Sequence, residues 1–351
     1  MKVIRGRMNV FTQQQFAGRK LPVLLVFLLI SAISSAQDIH FSQFFEAPLL
    51  RNPSLAGIFT GDIRVQAVYR DQWNSVTTAY KTASLNGEYK LPVGKSDDFL
   101  TVGLQMLYDR AGTVSWVSSH LLPALNYHKS LGTDKNRYLS LGFMGGPVQR
   151  RLDITKMTTN SQYDGMGLGE NFPDPKYTYF DGSVGMSFNS QLNENVDNNM
   201  FVGVAYHHFT NPKNSFYRNS NIVLDPKWVS SAGVKFSVTP SSYITLQGDY
   251  SMQGNFKELV AGALYGIKLN EEIEKPLYTL HGGAFLRLND AFIPVIKVDY
   301  RPFSFALSYD VNISKLRTSS YGRGGFELSV SYVGFSNRDN SSLNNIRCPR
   351  F

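Results

Sequence analysis

Residues 302–311 have the sequence Pro-Phe-Ser-Phe-Ala-Leu-Ser-Tyr-Asp-Val, in which large apolar side chains alternate with small or polar ones. The large apolar residues occupy every second position from Phe303 to Tyr309. Because successive side chains of a β-strand point to opposite faces, this stretch predicts a strand with one apolar and one small, polar face.

The same alternation recurs at residues 179–191, 278–288 and 325–335. Along the whole chain it predicts fourteen antiparallel strands, at Asp62–Arg70, Ala79–Lys90, Phe99–Tyr108, Trp116–His128, Asn136–Arg150, Tyr177–Gln191, Met200–His208, Lys227–Val238, Ser241–Ser251, Lys257–Leu269, Leu277–Leu288, Ala291–Tyr300, Pro302–Val311 and Gly324–Phe335. Strands of globular proteins cluster near about 5–6 residues, whereas tilted membrane strands need about 9–11, which fits most of these spans better. The sequence therefore predicts an all-β fold, an outer-membrane β-barrel with the even strand number of bacterial barrels.

Residues 1–36 have the features of a cleaved signal peptide. A basic stretch ending at Arg19-Lys20 precedes the apolar run Leu21–Ile33, and small residues follow at Ser34–Ala36. The run is shorter than the roughly 20 residues that a spanning helix needs, so we expect cleavage between Ala36 and Gln37. The mature chain contains no further apolar run long enough for such a helix.

The net charge of +8 does not indicate nucleic-acid binding. Five of the 35 basic residues lie in the first twenty positions, where there is no acidic residue, and removing them leaves 30 basic against 27 acidic residues, a net charge of +3. No basic stripe remains that could follow a phosphate backbone. We therefore expect outer-membrane lipid, and no nucleic acid, among the partners.

The lengths of the connections support a barrel with a defined orientation. If both termini are periplasmic, odd-numbered connections face outside, and these include the long stretches 151–176, 209–226 and 312–323. The eighth and twelfth connections, at 239–240 and 300–302, are short and face the periplasm. Long outer loops and short inner turns are typical of outer-membrane barrels, with the short outer turn at Asn289-Asp290 as an exception.

Aromatic residues lie at or just beyond the ends of the predicted strands. Amphipathic rings prefer the level of the lipid headgroups, which produces girdles at both rims of a barrel. The residues in such positions are Tyr69, Trp73, Tyr108, Trp116, Trp228, Tyr250, Tyr300 and Phe335.

The chain offers little for catalysis, so we predict no enzyme, no catalytic residue, no cofactor and no metal site. His207 and His208 are adjacent on a predicted strand, and their side chains should therefore face opposite ways. His281 alternates with small polar residues and should line the lumen, whereas the glycines of 165–169 lack the strand and helix of a phosphate-binding loop. One cysteine, Cys348, allows no internal disulfide.

Several motifs of the mature chain resemble those of the PorP/SprF family of the type IX secretion system, which is found in Bacteroidetes. They are Gln37-Asp38-Ile39-His40-Phe41-Ser42-Gln43-Phe44, Arg51-Asn52-Pro53-Ser54-Leu55-Ala56-Gly57, Tyr69-Arg70-Asp71-Gln72-Trp73, Asp109-Arg110-Ala111-Gly112, Asp290-Ala291-Phe292-Ile293-Pro294, Ser308-Tyr309-Asp310-Val311-Asn312-Ile313-Ser314, Gly324-Gly325-Phe326-Glu327-Leu328 and Cys348-Pro349-Arg350-Phe351. The resemblance spans essentially all of residues 37–351 in order. It departs from the family at Ile39, where proline is frequent.

The resemblance implies an outer-membrane barrel that anchors, or helps to export, a secreted cell-surface protein such as a gliding adhesin. It also implies contact with periplasmic or outer-membrane components of the type IX machinery. The residues themselves lead only as far as the barrel, and about fourteen strands enclose more space than side chains fill. A passive or substrate-selective pore therefore stays as the alternative function.

Four regions follow from these observations: a signal peptide (1–36), an amino-terminal extension (37–61), the barrel (62–335) and a carboxy-terminal tail (336–351). The extension is rich in apolar residues, which would form an exposed patch if it hung free in the periplasm. We expect it to fold against the periplasmic mouth or into the lumen as a plug.

Binding to partners is predicted at the long outer loops and at the tail. Loop aromatics on a rigid scaffold are frequent contact residues, which selects Tyr163, Phe172, Phe216 and Tyr217 as sites for the surface client. Polar residues fill most of the tail, yet it closes with Cys348-Pro349-Arg350-Phe351. We expect residues 345–351 to dock in the periplasm, either on the barrel rim or on a component of the secretion apparatus.

Overall fold

A computed structural model describes residues 38–72, 78–94, 97–132, 136–170, 172–195, 197–217, 221–269, 276–315 and 317–336. The signal peptide, the cleavage residues Ala36 and Gln37, Trp73 and the tail residues Cys348, Pro349, Arg350 and Phe351 lie outside this part of the chain. The barrel belongs to the compact unit that begins at Ile39.

Fourteen antiparallel strands close into a barrel in which each strand pairs with its neighbours in sequence and β1 pairs with β14. The strands are β1 (Ile63–Gln72), β2 (Tyr80–Pro92), β3 (Phe99–Ala111), β4 (Trp116–Ser130), β5 (Arg137–Arg151), β6 (Lys176–Gln191), β7 (Asn199–His207), β8 (Lys227–Thr239), β9 (Ser242–Gln253), β10 (Phe256–Lys268), β11 (Tyr278–Arg287), β12 (Ala291–Tyr300), β13 (Phe303–Asn312) and β14 (Arg323–Gly334). The predicted all-β barrel is confirmed, and no predicted strand end is more than three residues from the observed one.

The alternation in the sequence corresponds to two faces of the barrel wall. On β13, Leu307 is 52% exposed on the outer face, whereas its neighbour Ser308 is 2% exposed on the inner face. Large apolar side chains are thus presented outward on strand after strand, and small or charged ones are enclosed. This inversion of the usual soluble arrangement fits a wall that faces lipid.

Short helical turns accompany the strands. In the described part of the chain, 3-10 turns span Phe44–Glu46, Pro53–Leu55 and Ile154–Lys156, and one-turn α-helices span Pro48–Arg51, Asn160–Tyr163 and Arg317–Ser320. Within the described residues, none of the helices has the length and apolar character needed to cross a membrane.

The two ends of the barrel differ in their connections. The odd-numbered connections share one end, termed the loop end, and include the longest ones, at residues 152–175 and 208–226. The even-numbered connections share the other end, termed the turn end, and include the two-residue turns at 240–241 and 301–302. Sorting by length is incomplete, because the odd-numbered turns at 254–255 and 288–290 are also short.

Candidate functional site

Residues 39–61, termed the luminal segment, lie inside the barrel. Phe44 and Phe45 contact the ring of Phe285 on β11, with ring centroids 5.3 and 5.2 Å apart. Farther along, Leu49 and Ala56 pack in one buried cluster with residues of β4 and β5. The apolar side chains of this extension are therefore covered by the inner wall.

A buried cluster of charges holds the start of the segment near the loop end. Glu327 on β14 accepts hydrogen bonds from the backbone N–H groups of Ser42 and Gln43, at 2.6 and 2.7 Å. Arg70 on β1 lies 3.0 Å from carboxylate oxygens of both Glu327 and Asp310. Since charge-assisted hydrogen bonds are stronger than neutral ones, this cluster is a firm attachment for the segment.

Two ion pairs attach the middle of the segment to opposite parts of the wall. The guanidinium of Arg51 lies 2.6 Å from the carboxylate of Asp249 on β9. The carboxylate of Glu46 accepts hydrogen bonds from Lys297 on β12 and, at 3.0 Å, from Gln66 on β1. Because each charge is buried with its partner, the segment and the wall are complementary in charge as well as in shape.

The Asn52-Pro53-Ser54 turn occupies a trough in the wall that glycines create. A Cβ atom added to Gly142 of β5 would lie 2.5 Å from the carbonyl carbon of Pro53. Asn126 of β4 donates hydrogen bonds to the carbonyl oxygens of Ser54 and Ala56, at 2.6 and 2.8 Å. The glycine therefore has a packing role, since a side chain at this position would expel the turn.

The segment reaches the turn end at Gly57 and Phe59. Gly57 has a φ of +83°, and its N–H donates to the carboxylate of Glu88 at 2.7 Å. Lys90 donates to the carbonyl oxygen of Phe59. The chain then enters β1, so the segment runs the length of the lumen from the loop end to the turn end.

A small cavity lies beside the segment in the half of the lumen that faces the turn end. A cavity of about 40 Å³ lies between Phe45 and wall residues that include Tyr243 and His281. This volume holds at most a few water molecules. His281 faces the lumen, as its alternation with small residues predicts, and its Nε2 lies 3.1 Å from Asp299.

The two long loops at the loop end pack against each other through aromatic rings. Phe216 is 8% exposed and lies 5.2 Å from Trp116 and 4.8 Å from Tyr177, measured between ring centroids. Tyr217 packs against Phe172 at 5.2 Å and stays 53% exposed. Phe216 thus anchors loop 208–226 on β4 and β6, whereas Tyr217 contacts Phe172 and Glu170 of the other loop and leaves half of its side chain available to a partner.

The remaining predicted loop residue, Tyr163, ends the one-turn helix Asn160–Tyr163 and is 98% exposed. A side chain of this size with almost no contacts contributes nothing to the stability of its own loop. Together with Tyr217, it gives the loop end aromatic groups that face solvent.

The expectation that His207 and His208 face opposite ways is wrong. β7 ends at His207, and His208 has a φ of +59°, so the strict alternation of an extended chain stops between them. His207 contacts Ser183 at 2.9 Å and His208 contacts Asp181 at 2.7 Å, and both rings are buried. No group of three or more potential metal-ligating side chains occurs in the part of the chain that the structure describes.

The site residues that sequence reasoning missed are the buried charges of the inner wall. Among them are Arg70, Glu88, Asp249, Lys297 and Glu327. Each occupies the polar face of an alternating strand, which is the face that a barrel turns toward its lumen. The alternation could have placed these residues inside, but a water-filled lumen would also accept charges there, so their pairing with the segment is known only from the structure.

A model of the family described as the type IX secretion system membrane protein PorP/SprF matches residues 33–332. The chain belongs to the PorP/SprF family. The resemblance carried by the sequence motifs is thereby confirmed, and this PorP/SprF protein is an outer-membrane barrel of the type IX secretion system. Its family and fold are those of a secretion-system membrane barrel and not those of a known enzyme family.

Solved structures similar to this PorP/SprF barrel include other outer-membrane proteins. The toluene transporter TbuX of Ralstonia pickettii is 10% identical with a TM-score of 0.49, and the match covers 83% of this chain and 94% of that one. For the toluene transporter TodX of P. putida, these values are 12%, 0.44, 84% and 95%. Among curated proteins, none matches the sequence.

Proposed function

We propose that this barrel is a docking protein, closed by its own luminal segment, that holds a secreted surface protein of the type IX pathway at its loop end. The observation that carries the proposal is the position of residues 39–61, which occupy the lumen and contact strands on several sides. A solute that diffuses through a barrel needs an open lumen. Because residues 39–61 occupy this lumen, the barrel acts through its surfaces.

The orientation that the proposal needs has the loop end at the cell exterior. The long connections at this end carry the exposed aromatic side chains of Tyr163 and Tyr217, and long outer loops are usual in bacterial barrels. Aromatic side chains are favoured anchors at protein interfaces. The client therefore docks on loops 152–175 and 208–226, which contact each other through Phe172 and Tyr217.

Co-purification tests the docking function directly. In cells that lack the barrel, a client protein disappears from the surface, and the same protein co-purifies with the tagged barrel from native membranes. Deletion of both loops abolishes its retention, whereas a barrel shortened in the turn-end connection between β10 and β11 retains it. If the client stays on the surface after both loops are deleted, loop docking is wrong.

Electrical recording separates docking from the alternative function, a pore. The intact barrel in a planar bilayer conducts little current, because the segment fills the lumen. A variant without residues 39–61 conducts steadily if it folds, and Arg51→Ala, which releases one attachment, gives intermittent openings. Steady conductance by the intact protein would favour the pore.

A further inference from the structure

The luminal segment has a direction within the barrel. Its first residues lie near the loop end, where the backbone carbonyl of His40 accepts a hydrogen bond from Arg70 at 2.8 Å, and Arg70 is near the loop end of β1. Its last residues lie at the turn end, where Asp62 N–H donates to the carbonyl of Gly334 at 2.9 Å. The chain thus enters the described barrel at one end and begins β1 at the other.

The described chain leaves the barrel at the end opposite to where it enters. Ser336 follows β14 at the turn end, and its N–H donates to Asp62 at 2.7 Å. The orientation expected from the sequence has both termini at the periplasmic end of the barrel. Ser336 lies at the same end as the short turns, as this requires, whereas Ile39 lies at the loop end. Only Gln37 and Asp38 precede Ile39 in the expected mature chain, and two extended residues span about 7 Å. This is too short to return through the lumen.

The exposed surface of the loop end is basic. Its exposed acidic residues, among those described, are Asp164, Glu170 and Asp225. The exposed basic residues described at this end number nine: Lys81, Arg151, Lys156, Lys176, Lys213, Lys257, Lys315, Arg317 and Arg323. Partly exposed acidic residues at this end, among them Asp290 with 44% of its side chain exposed, reduce this excess without removing it. The net positive charge gives long-range attraction for an acidic partner and repels a basic one.

We propose that the mature chain begins at the loop end, where Ile39 enters the barrel, and that the basic surface of this end binds an acidic face of the secreted client. The surface rests on the docking function proposed above, whereas the position of the chain start does not. The favoured partner is a protein and not the surrounding lipid, because Lys213, Lys315 and Arg317 lie in the loops beyond the strand ends, among exposed aromatics such as Tyr321.

An epitope tag locates the terminus. The tag is inserted between Gln37 and Asp38, with a loop-end control between Asp164 and Gly165 and a turn-end control between Pro240 and Ser241. In intact cells, antibody binds the amino-terminal tag and the 164–165 tag equally, and it binds the 240–241 tag only after the outer membrane is permeabilised. The proposal is overturned if the amino-terminal tag behaves like the 240–241 tag.

Charge reversal tests the acidic partner. The triple variant Lys213→Glu, Lys315→Glu and Arg317→Glu reduces client binding by about tenfold or more, and binding by the original barrel weakens as salt is raised. The matched control, Lys213→Arg, Lys315→Arg and Arg317→Lys, keeps the charge and binds normally. If the original barrel binds a client and the reversed variant binds it equally, the acidic partner is wrong while docking stands.

Lipid binding is the remaining outcome of the same experiment. A reversed variant that loses co-purified lipopolysaccharide and retains its client would show that the basic surface serves anionic lipid, and this would also overturn the proposal. Failure of the original barrel to bind any client contradicts the docking function itself. The epitope-tag experiment tests the position of the amino terminus independently of all these binding results.

Discussion

Arg70 is the residue on which the attachment of the luminal segment depends most. It is 1% exposed, pairs with Asp310 and Glu327, and donates to the carbonyl of His40. We expect Arg70→Met to lower the free energy of unfolding by about 3–5 kcal/mol, because buried Glu327 loses its counter-charge and Asp310 keeps only the more distant Arg287, at 3.4 Å. Urea unfolding, followed by the loss of the compact barrel band on an unheated gel, measures this effect.

The matched control for Arg70 is Lys81→Met. Lys81 is 4.0 Å from Asp71, and its side chain is 52% exposed, so the change should cost about 0–1 kcal/mol. Equal urea midpoints for the two variants would contradict a structural role for the buried cluster.

Gly57 is a second position where one added atom, the Cβ of alanine, should affect the stability of the barrel. Both Gly57 and Gly94 have a positive φ, at +83° and +71°, so alanine is strained at each by about 1–2 kcal/mol. A Cβ atom on Gly57 also meets Thr101 and His128, whereas one on Gly94 has no atom within 4 Å. Gly57→Ala should therefore be less stable than Gly94→Ala by about 1–3 kcal/mol in urea unfolding. Equal losses of unfolding free energy in the two variants would mean that the luminal segment shifts freely to make room for the added methyl group.

The connection between β6 and β7 is tied to the barrel through Asp197. Its carboxylate lies 2.9 Å from the ammonium nitrogen of Lys235 and 2.5 Å from that of Lys268. Burial by itself raises the pKa of Asp197, but the charges and hydrogen bonds of the two lysines outweigh this and leave the pKa below its ordinary value. A lowered pKa in the folded state means that the pair stabilises the barrel above the ordinary pKa of Asp.

Acid should therefore weaken this connection. The stabilisation by Asp197 is lost as the pH falls below about 4, through the lowered pKa. We expect Asp197→Asn to reduce the urea midpoint at neutral pH and to reduce its decline on acidification, compared with the exposed Asp164→Asn. An undiminished acid dependence in Asp197→Asn would assign the effect to other groups.

Phe216 holds loop 208–226 against the barrel. Its ring is buried between Trp116 of β4 and Tyr177 of β6, so Phe216→Ala should loosen this loop and reduce client retention while the barrel stays folded. Ile222→Ala, which shortens a side chain that is 46% exposed in the same loop, serves as the control. Limited proteolysis of intact cells should cut the Phe216→Ala loop faster than the Ile222→Ala loop.

The whole molecule presents different parts of the chain at its two ends, and the described chain leaves the barrel at the turn end, after β14. We propose that the tail, residues 345–351, docks on the barrel rim or on a periplasmic component of the secretion apparatus. Truncation after Phe335 should then leave a folded barrel that displays less client at the surface, as measured by antibody labelling of cells. Normal insertion together with normal display would exclude such a role.

The strand order, the strand limits and the two faces of the wall were predictable from the residues. The alternation depends only on neighbouring residues, and each face of the wall keeps the same kind of environment along every strand. Boundaries shifted where local rules end, as at His208, whose backbone leaves the extended conformation. The loops could be recognised, but not that Phe216 is buried while Tyr163 is exposed, since this depends on contacts between residues far apart in the sequence.

The course of residues 39–61 was decided only by the tertiary structure. Their apolar composition predicted a covered segment, whereas the positions of Arg70, Asp249 and Lys297 on the inner face were recognised only in the structure. The sequence does not say which charge meets which, because Arg51 and Asp249 are 198 residues apart. The direction of the segment, and with it the end at which the chain starts, follows from those long-range pairs, which form only when the barrel has closed around it.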